Sequence, residues 1–193
     1  MNNTPISDTL ALRATASAFD AQRGKLPVPG VPHRSPDSVA VARQISELGQ
    51  MINGLGDEVL FRAADQNREA HTVRVITSFA AAVRPAGEAA SALGAVADQL
   101  SFLNQTERLR DQTDARDARE AAARVMEDAL GTADTALRAA ADSLHAASAT
   151  VWPPPVRLQA ARSRSTTAAP SPAPHPTTVP AAAAPADRIA RSR

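Results

Sequence analysis

The chain is expected to fold as an all-α protein: a long helical hairpin or coiled-coil-like bundle with a disordered Pro/Ala/Arg-rich C-terminal tail. Three observations predict this. Apolar residues recur at alternating steps of three and four through much of residues 36–151, the period of one helix face or a heptad seam. Alanine runs such as Ala80-Ala81-Ala82, Ala121-Ala122-Ala123 and Ala139-Ala140-Ala141 supply the best helix former, while aromatics make up only 3%. Alanine buries little surface per residue, so the composition suits thin helix-on-helix seams better than a thick core. Finally, helical periodicity stops at Trp152-Pro153-Pro154-Pro155, and the sequence beyond is dominated by Pro, Ala, Ser, Thr and Arg.

The first element is a short helix over 6–23, within an N-terminal segment 1–24. Thr4-Pro5 can open it as N-cap and first helical residue, Gly24 can close it, and Leu10, Ala14, Ala18 and Ala21 lie roughly along one face as a weak stripe. Residues 25–35 contain Pro27, Pro29 and Pro32 and read as an extended linker. The main helical region, 36–151, should begin with Ser35 as N-cap, Pro36 at the first position and Asp37 in the first turn, where a carboxylate favours the helix dipole.

Val41, Ile45, Leu48, Ile52, Leu55 and Val59 then form a heptad stripe. Gly54 and Gly56 interrupt it, which predicts a break at 53–57 with Asp57 as a new N-cap. The pattern resumes through Val73, Ile76, Phe79 and Val83, and Arg84-Pro85-Ala86-Gly87 predicts the hairpin turn, because proline disfavours helix at the residue before it. Pairing outward from such a turn sets 62–70 opposite 100–108 and 41–59 opposite 111–129.

The second arm should run from Glu88 to about Thr150. Leu93, Val96, Leu100 and Leu103 make one seam; a further break near 104–106 is left open. A charged section follows, with Arg110–Asp114, Arg116–Glu120 and Glu120–Arg124 at i,i+4. Met126, Leu130, Ala133, Leu137, Ala140, Leu144, Ala147 and Val151 then repeat without a miss. This is the strongest periodic signal in the chain and the expected partner-binding seam. It is out of register with the first arm, so either helix 6–23 or a second copy of the chain is expected to cover it.

Charge divides the chain. Residues 1–151 carry 15 basic and 19 acidic groups, a net −4, whereas 152–193 carry six arginines against Asp187, a net +5. The arginines Arg157, Arg162, Arg164, Arg188, Arg191 and Arg193 form a possible anion-binding tail toward nucleic acid or an anionic membrane surface. Lys25 is the only lysine, a skew expected of a GC-rich bacterial genome, so the arginine excess is not by itself evidence of phosphate recognition.

Several function classes are disfavoured. The chain has no cysteine, which removes disulfides and thiolate chemistry. Asp142 and His145 share a face at i,i+3, but no second half of a metal site accompanies them, and no HExxH occurs. Gly54-Leu55-Gly56 lacks the third glycine and βαβ context of a dinucleotide loop. Neighbouring carboxylates such as Glu127-Asp128 point different ways on a helix. No catalytic residue, metal, cofactor or small-molecule substrate is therefore expected, nor a secretory signal or membrane span. The expectation is a cytoplasmic, non-enzymatic interaction protein that oligomerises or docks a helical partner. The rival is an accessory factor, regulatory or serving mobile-element transfer or maintenance, that touches nucleic acid through its tail.

Overall fold

A computed structural model describes residues 5–28, 35–64 and 69–151. They form four α-helices and no strand: α1 (Pro5–Gly24), α2 (Ser38–Ala63), α3 (Ala70–Gln105) and α4 (Thr113–Val151). A 3-10 turn, Glu107–Leu109, lies between the last two. The all-α expectation holds, and the helices assemble as an up-down-up-down bundle.

Side-chain pairs fix the directions. Asp8 at the start of α1 meets Arg62 at the end of α2, while Gln22 at the end of α1 meets Gln44 and Glu47 near the start of α2. α1 and α2 are therefore antiparallel. Arg23 and Asp20 of α1 meet Asp134 and His145 of α4, again antiparallel. α2 packs mainly on α3, α3 on α4 and α4 on α1, so α1 closes the bundle over the face of α4 that the sequence left uncovered. Of the two candidates for covering that seam, the chain's own first helix does so here.

The hairpin turn is not at 84–87. α3 runs through Pro85 without interruption, and the chain reverses at 106–112. Phe79, Ala82, Ala86, Ala89, Leu93 and Val96 are all fully buried, stepping three, four, three, four, three straight past the proline. Proline costs a helix interior about 3 kcal/mol and one backbone hydrogen bond. A break there would take that whole stripe off its partners. Burial of each large apolar side chain contributes roughly 1.5–3 kcal/mol, so the continuous helix wins.

The expected break at 53–57 is likewise absent. α2 continues through Gly54 and Gly56, with Leu48, Leu55 and Arg62 buried on one line. Each glycine costs a helix only about 1 kcal/mol. Asp57 caps nothing; the cap of α2 is Asp37, whose side chain accepts from the Ala40 amide at 2.9 Å. Ser35 and Pro36 stand outside the helix.

The single arm expected from Glu88 to Thr150 is two helices. α3 stops after Gln105, where the weak helix formers Asn104 and Thr106 coincide with the end of the large apolar residues. The Thr106 hydroxyl donates to the Phe102 carbonyl, and Arg119 from α4 donates to the Leu103 carbonyl at 3.0 Å and pairs with Glu107. Arg110 therefore lies in the turn and pairs with Glu107 instead of Asp114. The Glu120–Arg124 pair is present at 3.6 Å. The 152–193 segment lies outside the described residues, as do the linker residues 29–34.

Candidate functional site

The α4 seam is core. Met126, Leu130, Ala133, Leu137, Ala140 and Leu144 are buried, and Ala147 and Val151 are partly buried against the same cluster. They pack with Leu12, Ala16 and Phe19 of α1 and with the apolar stripe of α3. In this fold the eight residues expected to receive a partner are occupied from within the chain. The physical reason is the length of α1: twenty residues give a helix of roughly 30 Å, enough to lie along most of the seam. The tail arginines Arg157, Arg162, Arg164, Arg188, Arg191 and Arg193 lie outside the described residues.

A charged cluster that the periodicity did not single out joins three helix ends. Asp8 is fully buried, and its Oδ1 accepts from Arg62 Nε at 3.0 Å. Arg62, only 4% exposed, also pairs with Glu58 one turn earlier and lies 5.0 Å over the Phe79 ring, a cation–π stacking position. His71 approaches from the first turn of α3, its Nε2 3.6 Å from Asp8 Oδ2 and its Nδ1 3.2 Å from Glu69. A carboxylate and an arginine taken out of water are costly unless paired, and the pairing here ties α1, α2 and α3 at one end of the bundle.

At the opposite end of α1 the links are more exposed. Arg23 Nε donates to Asp134 Oδ1 at 2.6 Å, and His145 Nε2 lies 3.0 Å from Asp20. His145 thus serves the α1–α4 contact instead of half of a metal site with Asp142. Lys25 and Gln22 both donate to Glu47. Chiefly the Lys25 bond, and then the Gln22 bond, hold the Glu47 carboxyl below its ordinary value.

Two of the surface clefts among the described residues stand out for size and polar lining. One, about 500 Å³, lies between the end of α1 and α4 beside Leu26, Leu130 and the Arg23–Asp134 pair. The other, about 650 Å³, runs along the α3–α4 face past Gly131, Thr132 and Thr135, with Glu88, Glu127 and Asp128 at its edges. Both are open grooves, whereas small-molecule sites enclose their ligand with convergent polar groups. Among the described residues no three His, Asp or Glu side chains are placed to hold a metal ion. No described helix is long and apolar enough to cross a membrane.

What the surface does carry is apolar. Ile6 and Leu10 on the first turns of α1 are 54% and 60% exposed, and Leu60 and Phe61 on the last turn of α2 are 69% and 59% exposed. Val73, on the first turn of α3, is also exposed. The Asp8–Arg62 and Asp8–His71 contacts bring these three helix ends together, so the five side chains sit at one end of the bundle. Leu60 and Phe61 follow Val59 in sequence and fall off the buried line, a signal legible once α2 is known to continue past Gly56.

Comparison of the chain with protein-family models, with curated proteins and with solved structures gave no match.

Proposed function

We propose that this chain is a non-enzymatic helical interaction protein that self-associates through the α1-start, α2-end and α3-start end of its bundle. The observation that carries the reading is the exposure of Ile6, Leu10, Leu60 and Phe61, each more than half open to solvent at that one end. Several large apolar side chains left exposed at one end of a bundle supply apolar surface of the kind that association buries. The interior supports the same reading: the apolar seams are used in helix packing, and the ionic groups that meet across elements, such as Asp8–Arg62 and Arg23–Asp134, hold helices together. The bacterial source and cytoplasmic setting expected of the composition, and the coiled-coil character of the seams, belong to this reading.

Light scattering on a gel-filtration column tests it. The parent is expected to elute at a defined multiple of 20.1 kDa. The double variant Leu60→Glu, Phe61→Glu should retain its helicity and elute as a monomer, since both side chains point to solvent. A parent that stays monomeric at every concentration, or a variant that assembles like the parent, would remove the proposal.

A further inference from the structure

The first helix is held differently from the other three. Its buried apolar side chains are Leu12, Ala16 and Phe19, and its remaining buried side chains, Asp8, Thr9 and Gln22, are polar. Two buried side-chain atoms among the described residues lack a hydrogen-bond partner, Asp8 Oδ2 and Gln22 Oε1, and both belong to α1. Gln22 Oε1 forfeits its hydration without replacing it, and Asp8 Oδ2 gains only the longer His71 Nε2 contact at 3.6 Å. Apart from the buried Asp8–Arg62 pair, which salt reaches little, the charge pairs that fasten α1 lie near the surface: Arg23–Asp134 with side chains 37% and 35% exposed, Asp20–His145 with 50% and 44%, and Lys25–Glu47 just beyond the helix.

Salt screens exposed charge pairs and leaves apolar burial intact. It should therefore loosen α1 before it loosens the α3–α4 hairpin. Beneath α1 lies the most regular apolar stripe of the chain, with Leu130, Leu137 and Leu144 buried. From these observations we propose that α1 is a releasable cover, and that the groove it leaves on α4 receives the α1 of a second copy.

The occupant follows from complementarity. A second α1 brings the same Leu12, Ala16 and Phe19 to the stripe, the same Arg23 to Asp134 and the same Asp20 to His145. Thirteen residues, 25–37, separate α1 from α2 in sequence. Fully extended they reach about 45 Å, whereas packed helices lie only about 8–10 Å apart. The connection is thus long enough to serve a neighbouring chain.

Hydrogen exchange on the full-length parent is the first arm of the test. Amides of 5–24 should exchange at least about tenfold faster than those of 130–148, with a gap that widens between low and roughly 0.5 M salt. In the second arm, a fluorescein-labelled peptide of residues 5–24 is added to the full chain. Its anisotropy should rise faster at higher salt, and a Phe19→Asp peptide should not bind. The full-length Phe19→Asp variant, whose own α1 seats poorly, should bind the parent peptide at least about tenfold more tightly than the parent chain does.

Exchange of α1 in step with α4 would overturn the release. Fast α1 exchange with no peptide binding to either chain would overturn the exchange between copies. The first arm needs no variant, so misfolding cannot obscure it. Peptide binding should also survive in the Leu60→Glu, Phe61→Glu chain, so failure here and failure of self-association through the helix ends are separate results.

Discussion

Asp8 and Arg62 show at the scale of single residues how charge can serve a core. The carboxylate is fully buried and the guanidinium nearly so. Removing one partner leaves the other charge in a low-dielectric site, a loss of about 3–5 kcal/mol in comparable buried pairs. Arg62 keeps Glu58 and the Phe79 ring, so Asp8→Ala is expected near 3 kcal/mol, the lower end of that range. Joint replacement, Asp8→Leu with Arg62→Met, should recover most of it, because two apolar groups of similar size need no pairing. Urea midpoints of the three proteins check both statements, and a double variant as weak as the single one would refute the buried-pair account. Glu47 gives a pH dependence. Its carboxyl is held below the ordinary value of 4.5 by Lys25 and Gln22, so the folded state prefers the charged form. The stability this adds is present above the unfolded carboxylate value and lost as pH falls through the folded one. Parent and Glu47→Gln should therefore differ more at pH 7 than in acid below the carboxylate range; a difference that grows on acidification would contradict the sign. Both features were obscure in the sequence because each is a contact between distant segments. A trace existed nonetheless: Asp8 precedes Leu12, and Arg62 follows Val59, each on the apolar line of its own helix.

Individual helices were legible in type and misjudged in extent. Four-three spacing revealed the stripe of α2, the seam of α3 from Leu93 and α4 from Met126 to Val151, because a helix that buries one face must repeat that way. In α1 the expected stripe of Leu10, Ala14, Ala18 and Ala21 is exposed, and Leu12, Ala16 and Phe19 are buried in its place. Local punctuation misleads where it competes with that repeat. Pro85 was expected to turn the chain, yet Phe79 to Val96 keeps its phase across it. Gly54 and Gly56 were expected to break α2, yet Leu48, Leu55 and Arg62 keep theirs. The true reversal at 106–112 contains neither proline nor glycine, and its mark is only that large apolar residues thin out after Leu103. These corrections predict stabilising substitutions. A Cβ at Gly54 or Gly56 would meet open space, so Gly54→Ala and Gly56→Ala should each add about 0.5–1 kcal/mol. Pro85→Ala should restore a backbone bond and helix propensity of about 3 kcal/mol while losing roughly half of that in ring burial, for a net gain of about 1–2 kcal/mol. Thermal melts of the three variants measure this, and a drop in midpoint for either glycine variant would contradict an uninterrupted α2.

For the molecule as a whole, the decisive question is which surface covers α4. The sequence showed that this seam needed a cover and could not choose between α1 and a second chain, because identical heptad chemistry serves both. The fold supplies α1, which moves the expected association surface from the seam to the exposed helix ends bearing Leu60 and Phe61. The chain has no cysteine, so two engineered cysteines label without background. Ser17 and Ala149 are exposed on α1 and α4, and helices about 8–10 Å apart put nitroxides at those sites roughly 15–30 Å from each other. The measurement is the pulsed electron–electron distance in Ser17→Cys, Ala149→Cys protein at low salt, alone and refolded with an excess of unlabelled parent. A short distance that keeps its full modulation depth on dilution means that α1 covers the α4 of its own chain. A short distance that fades as unlabelled chains are added, or none at all, would mean that the seam is closed by another molecule.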